Sequence, residues 1–121
     1  MGEKAEHYLT LSRKYFRDAY DMLGEGDIVQ ASEKLWGAAA EMVKAVAMSR
    51  ERIELRTHGD LWRYVTKLHL ELKDPEIIRM FGLANTLHQN FYEAVMTPEA
   101  VQVHAEAVRR LLERLEELTE T

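Results

Sequence analysis

Cysteine is absent from the chain, which removes a disulfide framework, a thiolate nucleophile and a thiolate-bound zinc from consideration and suits a cytoplasmic protein. Only 2 prolines and 6 glycines interrupt 121 residues, too few for a loop-rich or low-complexity chain, so disorder is expected at the ends at most. Long apolar runs are missing too. The best, WGAAAEMVKAVAM from Trp36 to Met48, is broken by Glu41 and Lys44, which excludes a membrane-spanning helix. The opening MGEKAEHYLT has no apolar segment for a secretory signal, and its Met-Gly does not continue into the myristoylation pattern. Positive charge is in deficit: a net charge of -5 argues against a protein built to hold duplex DNA, where phosphate neutralisation needs a broad basic face.

What is present reads as one domain with a core of its own. At this length a chain buries roughly two thirds of its unfolded surface, and no room is left for a second unit. Apolar positions Tyr8, Leu11, Tyr15, Ala19 and Met22 recur at helical spacing, with Arg13, Lys14, Arg17 and Asp21 opposite, predicting a first helix over Lys4 to Leu23. Gly24-Glu25-Gly26 ends it, with Gly24 where a left-handed residue is wanted. Asp27 and Gln30 form a capping signal for a second helix reaching about Arg50, whose broad apolar stripe of Ile28, Ala31, Leu35, Ala38, Ala39, Met42, Val43 and Val46 suggests several neighbours. The next stretch, SRERIELRTHGD, is charged and lacks a period. It reads as a connection in which Arg50, Arg52, Arg56, His58 and Arg63 concentrate positive charge, a solvated loop or a contact for an anion or RNA.

Thr57 or Asp60 then caps a third helix carrying Leu61, Val65, Leu68 and Leu72. Asp74-Pro75 starts a fourth, running to Met96, and Thr97-Pro98 starts a fifth with Val101, Ala105, Val108, Leu111, Leu112 and Leu115 inward. No alternating or β-branched stretch competes. The prediction is an all-α, up-and-down antiparallel bundle of about five helices.

One polar residue interrupts the fourth helix. At about 100° per residue, Ile77, Phe81, Ala84, His88, Phe91, Tyr92 and Val95 share one arc, while Arg79, Thr86, Asn90 and Glu93 lie opposite. His88 thus faces the packing partner, with Asn85 and Tyr92 one turn to either side. Burying an imidazole without a partner costs on the order of 1–3 kcal/mol, so the position implies a hydrogen-bonded structural histidine or a cleft. None of His7, His58, His69, His88 or His104 follows a glutamate by three residues, which excludes the di-iron bundle pattern. No His-Glu-x-x-His, Walker loop or dinucleotide turn occurs, so neither a metal nor a cofactor is expected.

The second helix, ASEKLWGAAAEMVKAVA (Ala31 to Ala47), the later LANTLHQNFYEAV, most specifically Leu87 to Glu93, and the charged last helix resemble the archaeal PaREP-type proteins, which belong with the HEPN superfamily. The resemblance covers nearly the whole chain. It implies an all-α bundle that forms homodimers, and a choice between metal-independent endoribonucleases, some in toxin-antitoxin pairs, and non-catalytic modules that bind nucleotide, RNA or a partner protein. The ribonuclease pattern places an arginine, a short spacer containing a polar residue, and then a histidine late in the bundle. His88 matches the histidine and Asn85 the polar spacer residue, but Ala84 and Leu83 stand where the arginine is sought, and Arg79 lies half a turn away. The resemblance therefore implies a binding module at Asn85, His88 and Tyr92 rather than an enzyme, with His88 catalytic only if Arg50, Arg52 or Arg56 supplies the missing cation in space or from a second subunit.

Overall fold

In the computed structural model, which describes residues 1–119, the chain forms five helices: α1 Glu3–Gly24, α2 Ile28–Glu51, α3 His58–Leu72, α4 Pro75–Glu93 and α5 Pro98–Glu117. Among the described residues there is no strand, and no helix is long and apolar enough to cross a membrane.

Helix ends follow local chemistry. Asp27 accepts from the Gln30 N–H, and Thr97 from that of Ala100. Pro75 and Pro98 occupy first helical turns, where no N–H is needed. The first turn differs from the expectation. Gly24 stays helical and Gly26 takes the left-handed conformation, φ 83°, so that the Asp27 N–H reaches back to the Met22 carbonyl at 2.9 Å. Placing the reversal at Gly26 spares Glu25 a positive φ.

Helix α2 is the centre of the bundle, packing against all four others. Its wide stripe is spent on them: Ala31, Leu35, Ala38, Ala39, Met42, Val43, Ala45, Val46 and Ala47 are all buried. Small side chains let α1 come close, and the buried Ser12 hydroxyl donates to the Ala38 carbonyl at 2.7 Å. From α1 the residues at full depth are Ala5, Leu9, Ser12 and Ala19; the larger Tyr8, Leu11, Tyr15 and Met22 sit at the edge of the same face. Leu72, expected inside, is at the surface near the end of α3.

The connections fix the directions. Short turns set α1 against α2, α3 against α4 and α4 against α5. The longer link from Glu51 to His58 returns along α2, since His58 stacks on Trp36 while Lys67 pairs with Glu51. About seven extended steps of ~3.3 Å match the ~22 Å that α2 rises between Trp36 and Glu51. Helix α3 therefore runs alongside α2 in the same sense, and the link buries Leu55 beneath it.

Candidate functional site

The returning link brings the first residue of α3 to the seam between α2 and α4, beside His88. A capping box holds it there: Thr57 Oγ1 accepts from the Asp60 N–H at 3.0 Å, and Asp60 Oδ2 accepts from the N–H groups of Thr57 at 3.1 Å and Arg56 at 2.9 Å. These backbone N–H groups, followed by the Arg63 guanidinium, pull the Asp60 carboxyl from its ordinary 3.8 down to about 2.

Three rings then meet. The indole of Trp36 stacks on His58 at 4.9 Å between centroids and on His88 at 5.1 Å, and the two imidazoles lie 5.7 Å apart. Phe81 closes the buried side of Trp36, and Tyr92 meets His88 edge-on at 5.4 Å. Each imidazole is fixed by one directional bond. His88 Nδ1 lies 2.8 Å from Glu33 Oε1, and His58 Nε2 lies 2.8 Å from Asn85 Oδ1. Both partners are acceptors, so His88 donates through Nδ1 and His58 through Nε2. His88 Nε2 and His58 Nδ1 are left to accept a proton or a hydrogen bond. Helical spacing builds the set, with Glu33 and Trp36 one turn apart on α2 and Asn85, His88 and Tyr92 at one-turn steps on α4.

His88 is half-buried and His58 exposed, so the cluster opens to solvent. On its α2 side lies a depression of about 280 Å³ lined by Tyr15, Glu33, Lys34, Trp36 and Gly37. Lys34 is held there over the Tyr15 ring at 4.7 Å. Among the described residues no group of three or more His, Asp, Glu or Cys side chains converges on a metal position.

The structure thus gathers Asn85, His88 and Tyr92, and adds Glu33, Trp36 and His58. Glu33 carries no signal beyond its place one turn before Trp36. Trp36 reads as core, and His58 reads as part of a charged loop until that loop is seen to return. Arg50, Arg52 and Arg56 are not bonded to the cluster. Arg50 is exposed in the last turn of α2, Arg52 ends that helix in a left-handed conformation, and Arg56 pairs with Glu54 at 3.5 Å. Arg79 pairs with Glu76, away from the seam.

Three side-chain placements and one boundary on α4 need correction. Asn90, assigned to the solvent side, is only 2% exposed, whereas Tyr92 and Val95, assigned inward, are 71% and 73% exposed. The helix ends at Glu93, not Met96, with Ala94 left-handed at φ 52°. Asn90 Oδ1 then accepts from the N–H groups of Val95 at 3.0 Å and Met96 at 2.9 Å, while its Nδ2 donates to Ser32 Oγ at 3.0 Å. The amide is buried because it satisfies the chain reversal, and the residues beyond are turned outward.

Four helices wrapped on a central α2, with an indole and two imidazoles at one seam, define a small all-α bundle with an open polar cluster. The chain belongs to the archaeal PaREP1/PaREP8 family, which it matches over residues 7–112. It is also similar to a Sulfolobus solfataricus protein of known crystal structure, at 26% identity and a TM-score of 0.80, over 89% of this chain and 95% of that one. No curated protein matches it.

Proposed function

We propose that this protein is a HEPN-like, cytoplasmic binding module that holds a nucleotide or RNA segment at the Trp36–His58–His88 cluster without turning it over. The carrying observation is the pair of imidazoles stacked on one indole, each with one nitrogen anchored and the other free to meet a base edge or a phosphate. Aromatic planes of this kind bind bases through stacking worth roughly 1–3 kcal/mol each. Turnover is disfavoured because, among the described residues, no hydrogen bond or ion pair joins an arginine or lysine to His58, Asn85 or His88. Losing a cation that stabilises transition-state charge costs a factor of roughly 10²–10³.

The same reading includes a homodimer. The stripe of α2 is covered within the chain, so the contact is assigned to the exposed Tyr92, Val95 and Val103 near the α4–α5 turn. Light scattering at micromolar concentration tests it, and a monomer there would remove it.

Labelled single-stranded RNA and mononucleotides, titrated in chelator, test the site. Binding is expected, weakened about tenfold by His58→Ala and by His88→Ala. Absence of binding, or binding indifferent to both changes, would overturn the proposal. One feature favours an endoribonuclease as the second reading: Glu33 backs His88 while His58 stands 5.7 Å away, an arrangement able to supply one base and one acid. Cleavage in chelator, abolished by His88→Ala, would select it.

A further inference from the structure

Helices α1 and α5 both pack on α2, and their backbones stay apart while side chains reach across between them. They leave a cleft of about 260 Å³ on a different side of α2 from Trp36. Its apolar wall is the half-buried Phe16 and the outer edge of Leu112, with Met42 closed beneath them at 1% exposure. Its rim carries Arg13, Arg17 and Arg109 against Glu113 and Glu116.

The two glutamates are committed. Arg13 donates to Glu116 through Nη2 at 2.9 Å and Nε at 3.2 Å, bridging the cleft, and Arg109 donates to Glu113 at 2.9 Å and also pairs with Glu106. Arg17 is different: among the described residues it enters no ion pair or hydrogen bond, although its rim neighbours are paired. The cleft therefore combines a hydrocarbon floor with one uncompensated guanidinium at its mouth, and a net positive lining on an acidic protein.

We propose that this cleft binds a small amphipathic carboxylate, its alkyl body against Phe16 and the edge of Leu112 and its head on Arg17. A guanidinium meets a carboxylate through two parallel N–H donors, which selects the charge and the planar shape together. The volume lies just below the range for drug-sized ligands and corresponds to roughly nine liquid-water volumes, which suits a chain of about eight carbons rather than a long lipid. The proposal stands apart from the imidazole cluster and does not depend on it.

Octanoate is the probe, titrated by calorimetry and by ¹H–¹⁵N spectra of the full chain. Saturable binding is expected, with amide shifts centred on Ser12, Phe16, Met42 and Leu112. Arg17→Gln, a surface change that leaves the core untouched, is expected to weaken it about tenfold, and octylamine is expected to bind at least ten times more weakly than octanoate. Shifts centred elsewhere, affinity unchanged in Arg17→Gln, equal binding of octylamine, or no saturable binding would each overturn the assignment.

Discussion

The two halves of α4 pack against the same helix with opposite chemistry. From Ile77 through Phe81 and Ala84 to Leu87 the contact with the core is hydrocarbon, and each of these residues is fully buried. From the next residue on the contact becomes directional: His88 to Glu33, Asn90 to Ser32, and Asn90 again to the two backbone N–H groups that follow the helix. Apolar packing tolerates small shifts of one helix along another, whereas a hydrogen bond weakens steeply once its angle is lost. The hydrocarbon half therefore supplies adhesion, and the polar half sets the register in which Trp36, His58 and His88 meet.

That division can be broken by single changes. Phe81→Ala removes a fully buried ring wedged between Trp36 and Trp62, and is expected to cost about 3–5 kcal/mol in urea unfolding. A loss under about 1 kcal/mol would show that the apolar half does not carry the adhesion assigned to it. Asn90→Ala leaves Ser32 and the two N–H groups without their partner and is expected to cost about 1–3 kcal/mol. It should also displace His88 from Glu33, read as a change in the His88 ring signals, while the Ile77 to Leu87 amides keep their protection.

The smallest effect is expected at the α3 start. The Asp60 carboxyl is depressed in the folded chain, so its contribution is complete above its ordinary value of 3.8 and is lost as pH falls through about 2. Amide exchange in the first turn of α3 should rise over that window and the His58–Asn85 bond should loosen, with the α2–α4 hydrocarbon contacts unaffected. Asp60→Asn should abolish the pH dependence. Equal acid sensitivity in that variant would place its origin in another carboxylate.

Much of the bundle is readable in the residues. Asp27, Thr57 and Thr97 announce helix starts through local bonds, and Pro75 and Pro98 through a missing N–H, so neither needs a neighbour. Helix α5 buries Val101, Ala105, Val108, Leu111, Leu112 and Leu115 as its spacing predicts, because a strongly two-sided helix has one face to offer. Asn90 and His58 were less legible. An asparagine among polar neighbours reads as solvated unless Ser32 is known to lie opposite, and a histidine in a charged link has no address until that link folds back.

The order of helices, their approximate bounds and the inward turn of His88 belong to the sequence by itself, since each depends on bonds and periodicities within a few residues. The meeting of His58 with Trp36 and His88, the capping role of Asn90, and the cleft between α1 and α5 were decided only in the tertiary structure. These depend on how far an extended link carries the chain and on which helices α2 keeps apart, distances that local spacing does not encode.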